Sequence, residues 1–250
     1  MAGIDANRGA KRARQAREAL GLPAVEPLPC LLTAVEEAAR LPVVVRRWSE
    51  DIAGACARGA GGVVLWLNGQ QTVARQRFTL AHELGHAWCG HEGATSVDTI
   101  ATLSGKTTDA QEIQANSFAA EFLVPRAAIE RLIDGDPTLE QLVLVGAAYG
   151  VSAWVVLFRC QTAEVVSEAR AERLRAEIDE GLHLRLRDEL ELPAVDDRLA
   201  RIDALPYLSP ALHGSTLAAR LAGEASADAA ANAVACDPEE LDAAVDALTS

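Results

Sequence analysis

His82 and His86 stand four residues apart in the stretch Arg75–His86, "RQRFTLAHELGH", and Glu83 follows the first of them. On a helix, residues at that spacing lie on one face a turn apart, so both imidazoles would emerge side by side. Two neutral ring nitrogens in that geometry can hold a single metal ion. The pattern is H-E-x-x-H, the signature of zinc peptidases. Glu83 is not needed as a ligand. Beside the metal it suits a general base that takes a proton as water attacks a peptide carbonyl and passes it to the leaving amine.

A catalytic zinc takes three protein ligands and keeps one position open. The metzincin solution fails, because it needs Gly three residues and His six residues after the second histidine, where this chain has Cys89 and Glu92. The other solution is a carboxylate from a second helix. The run 109–125, "DAQEIQANSFAAEFLVP", supplies Glu112, with Ala115, Phe118, Ala119 and Phe122 forming an apolar face. Twenty-five residues separate His86 from Glu112, enough for a loop and a returning antiparallel helix. Alone, Glu112 and Glu121 would read as surface charges. A glutamate buried among Ala and Phe is costly unless paired or metal-bound, and the upstream histidines supply the reason for burial. Asn116, one turn after Glu112, could accept the N–H of a liganding histidine. Tyr149, Tyr207, His183 and His213 are all candidates for stabilising an oxyanion, and the residues do not choose among them. His91 reads as a helix-end residue rather than a ligand.

These residues need elements to position them. Residues 8–20 read as a helix stopped by Gly21-Leu22-Pro23, and residues 29–40 as a second. "LPVVVRRW" is an extended run, "GACARGAGG" a turn-rich break, and "VVLWLNG" a strand closed by Asn-Gly. A short strand is expected at 71–74. The histidine helix follows directly, then a helix at 109–123 with Asp109 as its cap and Pro125 as its stop. Helices are expected at about 126–133, 138–149 and 152–160. From about residue 161 the chain turns into Arg/Glu-rich and then Ala-rich helix.

At 250 residues there is room for one good-sized domain, or one with an appendage. Ala and Leu dominate the apolar half and aromatics are only 4%, which favours helix over strand. The expected class is α+β: a mainly helical domain over 1–164 with a small sheet beside the histidine helix, and a helical region over 165–250. A net charge of -13 argues against a protein that coats nucleic acid. Charge is uneven, with five Lys/Arg among the first twenty residues and seven acids but no Lys or Arg after Arg220. Both ends read first as solvated helix; the sharper reading is an acidic tail for a basic partner or site.

Cys30, Cys56, Cys89, Cys160 and Cys236 show no C-x-x-C spacing, and the N-terminus is polar and basic, so reduced thiols in a cytoplasm are expected. The uncharged run Gln141–Phe158 approaches bilayer-spanning length, but Gly146, Gly150 and Ser152 break it into two short buried helices. No membrane is implied. A thiolate is also a strong fourth zinc ligand that displaces water and holds such an enzyme latent. Cys89, one turn after His86, is the nearest candidate for that inhibitory thiol, although its short side chain points along the helix. Cys30, Cys56 or Cys236 could approach more freely.

"RQRFTLAHELGH", then "EIQANSFAAEFLVP", then "LVGAAYGVSAWVVLFR" together resemble the ImmA/IrrE family of zinc metallopeptidases. The family pairs R-F-T-x-A-H-E-x-G-H with E-x-x-A-N-x-F-A-x-x-L-x-x-P and a following F-x-V-S helix. The match covers roughly residues 10–160, is most specific from 75 to 125 and is absent beyond about 165. Val124 replaces the usual Met, Tyr149 the usual Phe, and Cys89 an aliphatic residue. The resemblance implies a zincin-like fold, zinc on His82, His86 and Glu112, and Glu83 as the catalytic residue. It also implies a cytoplasmic protease that cleaves a helix-turn-helix repressor after DNA damage or other stress, in settings that include antiphage operons. The competing expectation is a metal-stabilised interaction module that cleaves nothing; retention of Glu83 favours the enzyme. Direct DNA binding fits poorly with the charge. The 165–250 region, lacking a metal or nucleophile set, is expected to sense, dimerise or position the repressor.

Overall fold

The computed structural model describes residues 2–49, 51–59, 62–91, 95–99, 107–193, 199, 207–209, 226–228 and 238–239. The chain is mainly helical with its strands gathered in one mixed sheet, an α+β arrangement. Helix α1 (Ala2–Ala19) starts earlier than its own sequence pattern indicates. Packing supplies the difference. Ser117 donates to the Ala6 carbonyl and Gln114 to the Asp5 carboxylate, so a later helix holds the first turns of α1 in place. Helix α2 begins at Leu31–Thr33 and continues as π-helical turns over Ala34–Ala38, burying Leu31, Leu32 and Val35.

Strands β1 (Val43–Arg46), β2 (Ile52–Gly59), β3 (Gly62–Asn68), β4 (Thr95–Thr99) and β5 (Tyr207–Leu208) lie in the order β4-β2-β3-β1-β5. β1 runs parallel to β3, with Val43 opposite Leu65 and Val45 opposite Leu67. The other pairings are antiparallel. Three successive buried valines in β1 fit a strand covered on both faces.

β2 overturns the reading of "GACARGAGG" as a break. Gly and, less so, Ala are poor strand formers, but this segment is hydrogen-bonded to β3 on one side and β4 on the other. The strand expected at 71–74 is not formed either. The Thr72 side chain accepts the Arg75 N–H and starts helix α3 (Val73–Cys89) at that point. Asn68 ends β3 as a buried hub: it accepts from the Trp48 and Gln70 N–H groups and donates to the Ser49 and Ile52 carbonyls.

Asp109 caps helix α4 (Ala110–Leu123) by accepting from the Gln111 and Glu112 N–H groups, and Pro125 follows the helix end. Helices α5 (Arg126–Leu132), α6 (Leu139–Tyr149), α7 (Ala153–Thr162), α8 (Glu168–Asp179) and α9 (Leu182–Glu189) complete the described helical layer. The uncharged run resolves into α6 and α7, bent by 105° at a break where Ser152 caps α7. Among the described residues no single helix is long and apolar enough to cross a membrane. One apolar cluster joins Phe118, Phe122, Leu142 and Leu157 to Ala171, Leu174 and Ile178, so the core continues past residue 165. β5 pairs with β1, and the Tyr207 hydroxyl contacts the Glu36 carboxylate at 2.6 Å. Most of the acidic tail after Arg220 lies outside the described residues.

Candidate metal centre

Helix α3 carries His82, Glu83 and His86 on buried turns. Its entry is anchored by Arg77, whose buried guanidinium donates to the carbonyls of Leu28, Tyr149 and Gly150. A buried cation is tolerated when its donors are satisfied, and here backbone oxygens from two other segments do so. Opposite lies α4, which crosses α3 where Gly85 faces the Phe118 ring; a Cβ on Gly85 would sit 3.1 Å from that ring. This close crossing sets Glu112, in the first turn of α4, against the two histidines.

His82 Nε2 and His86 Nε2 are 3.0 Å apart. The two Glu112 oxygens lie 3.4 Å from these nitrogens, Oε2 from His82 and Oε1 from His86. One donor atom from each residue falls within 4.8 Å of the others. Two nitrogens each bound at about 2.1 Å by a tetrahedral ion would stand about 3.4 Å apart, so the donor set fits a metal such as zinc. His82 is fully buried and His86 nearly so, while the Glu112 side chain keeps 14% of its surface exposed. The cluster therefore opens on the Glu112 side.

Glu83 is fully buried beside the ligands. β2 passes so close that a Cβ on Gly54 would come within 3.0 Å of Glu83 Oε1, 2.7 Å of the Trp66 carbonyl and 2.5 Å of Thr79 Cγ2. The strand misread as a break is thus what walls the base. Asn116 sits one turn after Glu112 and is half-buried.

α4 is braced from behind by α1. A Cβ on Gly9 would fall 2.1 Å from the Gln114 carbonyl oxygen, so the two backbones nearly touch. Arg17, buried at the far end of α1, donates to the carbonyls of Phe122, Pro23 and Glu26.

Among the described residues no thiol joins the cluster. Cys89 is absent from the set of converging donors, and burial raises its pKa, which favours the thiol over the ligating thiolate. The inhibitory role expected of Cys89 finds no support among the converging donors of the described residues. Cys30 faces Thr33 at 3.0 Å, Cys56 and Cys160 are buried, and Cys236 lies outside the described residues. The oxyanion candidates fare unevenly. The Tyr149 hydroxyl donates to the Val25 carbonyl, and Tyr207 is engaged with Glu36. His183 lines a groove with Thr72 and Val73 at the start of α3. His82 is nine residues further on, roughly 13 Å along the helix. His213 lies outside the described residues.

His91 is the residue whose place the sequence does not disclose. It follows α3 directly, and its ring turns back so that Nδ1 lies 2.9 Å from His86 Nδ1. The only signal for this is the glycine before it: Gly90 ends the helix in the left-handed conformation (φ 69°).

In comparison with known proteins, residues 45–161 match the family model Peptidase_M78, described as the IrrE N-terminal-like domain. No curated protein matches the chain.

Proposed function

We propose, from the premise that residues 45–161 belong to the IrrE N-terminal-like peptidase family, that this chain is a zinc-dependent endopeptidase of the cytoplasm. Its substrate would be a helix-turn-helix transcriptional repressor, whose cleavage relieves repression after DNA damage or another stress, antiphage defence included. The observation that carries the reading is the convergence of His82, His86 and Glu112 with Glu83 buried beside them. Among the described residues no fourth His, Cys, Asp or Glu joins the three, as a catalytic rather than a closed structural site requires.

His82, His86 and Glu112 would hold the zinc ion. When bound, zinc supplies a Lewis acid that polarises a carbonyl and makes water acidic. Glu83 takes a proton from the attacking water at its carboxylate and returns it to the departing amine. β2 keeps bulk water from the base, and the exposed edge of Glu112 marks the side from which a peptide arrives.

The test is incubation of the protein and its Glu83→Gln variant with the product of the adjacent gene. The wild type should cut the repressor. Glu83→Gln should retain metal and fold but lose activity by about 10²-fold or more, the span of a general base. His86→Ala should lose zinc outright by metal analysis. Undiminished zinc in that variant would remove the metal assignment, and full cleavage by Glu83→Gln would make the glutamate a bystander.

A further inference from the structure

We propose that His91 is a positioning residue of the metal centre, and that a chain of side chains running from it to α1 selects the tautomer of His86. The proposal rests on the metal reading of His82, His86 and Glu112.

His86 has two ring nitrogens with separate tasks. Nε2 faces His82 and Glu112, and Nδ1 faces His91 Nδ1 at 2.9 Å. The two rings stand nearly perpendicular, at 78°, with centroids 4.9 Å apart. Two imidazole nitrogens at that separation share one proton, and which ring owns it is decided elsewhere. A nitrogen that binds metal must be bare, so His86 must carry its proton on Nδ1 and donate it to His91. His91 then has its own proton on Nε2, which lies 3.4 Å from Gln114 Oε1, a long contact with an acceptor. The amide nitrogen of Gln114 in turn points at Asp5 Oδ1, 3.2 Å away.

The direction of this chain is set at its far end. An ionised aspartate can only accept, so Asp5 requires the Gln114 amide to present its nitrogen outward and its oxygen toward His91. That orientation asks His91 for a proton on Nε2 and leaves its Nδ1 as an acceptor. His86 must then be the donor, with Nε2 bare. If Gln114 were reversed, its oxygen would face Asp5, and His91 would donate to His86 and push the His86 proton into the ligand cluster. Each link comes from a different place: His86 from α3, His91 from the residue after its cap, Gln114 from α4 two residues beyond Glu112, and Asp5 from α1.

The test uses the full chain and zinc alone. Zinc affinity is measured by chelator competition for wild type, His91→Leu, His91→Asn and Gln114→Leu, with cobalt substitution to read ligand geometry from the visible absorption bands. His91→Leu keeps the volume but removes the acceptor and should weaken zinc by about 10- to 100-fold and alter the cobalt bands. His91→Asn returns an acceptor where Nδ1 lay and should restore binding to within a few-fold. Gln114→Leu should fall between them. The metal-free variants should melt as the wild type does. Wild-type affinity in His91→Leu overturns the proposal, and so does an Asn variant no better than Leu, which would reduce His91 to packing. A wild type that takes up no zinc fails differently: it overturns the metal reading itself.

Discussion

Gly54 shows how finely single residues set this site. Its missing side chain lets β2 lie against α3 at the level of Glu83, and an added methyl would overlap Thr79, Trp66 and the base at once. Gly54→Ala should cost about 1–3 kcal/mol of stability through overpacking. It should reduce cleavage while zinc content stays near normal, because the ligands lie on α3 and α4. Thermal melts, metal analysis and a peptidase assay on one sample would separate these effects, and an active, unshifted variant would show that the approach is slack. The thiols allow another check. Burial pushes the Cys160 thiol up to about 11, so at pH 7.5 its reactive thiolate is roughly three parts in ten thousand. Cys160 should resist alkylation in the folded protein and react on unfolding, as mass spectrometry of labelled peptides would show. His82 and His86 are legible together because helix periodicity alone places them side by side. Glu112 is legible because a glutamate on an Ala/Phe face asks for a reason. Gly54 and His91 are not, since each acts through an approach that only the folded chain creates.

At the level of elements, α4 is held from three directions: by α3 at Phe118, by α1 at Gly9, and by α7 through a buried ion pair. In that pair Arg159 binds Glu121, which also takes Arg14 at 3.1 Å. Removing one partner of a buried pair leaves the other charge stranded, so Glu121→Ala should cost about 3–5 kcal/mol. Replacing both, as Glu121→Leu with Arg159→Met, should recover much of the loss, because well-packed apolar groups can substitute for such a pair. Denaturant unfolding of the single and double variants decides it; a double variant as weak as the single would assign the cost to packing. α6 and α7, bent by 105° across a short break, have the spacing of a helix-turn-helix pair. Yet α7 exposes Trp154 and Phe158 and buries Arg159, so its outer face presents no cation to a phosphate. The helices were readable because their caps are local: Asp109, Ser152 and Thr138 each accept an N–H within their own first turn. β2, β4 and β5 were not, because a strand of small residues, or one of two residues, exists only through its neighbours.

For the molecule as a whole, the boundary expected at residue 165 falls within a continuous core. Ala171, Leu174 and Ile178 are buried in the same cluster as the α4 phenylalanines. Ending the chain at residue 164 would uncover that cluster and strip β5 from β1, with each lost Leu or Ile contact worth about 2–5 kcal/mol. The truncated protein should lose cooperative thermal unfolding or become insoluble; an unchanged melt would mean that the later segment only rests on the core. Composition could announce the shift to Arg/Glu-rich helix, but it could not announce that one face of that helix goes inward, because Leu174 and Ile178 are the only large apolar residues among its twelve and make a faint stripe.

The pairing of β5 with β1 also fixes a schedule. Arg46 and Tyr207 are separated by 160 residues, so the outer edge of β1 has no partner until most of the chain has been made. At about 5–20 residues per second, a ribosome needs roughly ten to thirty seconds to deliver it. Throughout that interval a run of valines presents an open strand edge, the kind of surface on which neighbouring chains pair wrongly. His82, His86 and Glu112 all emerge within the same interval. The nascent chain can therefore gather its metal donors before its sheet is closed, and the interval during translation is one in which that open edge is exposed to neighbouring chains.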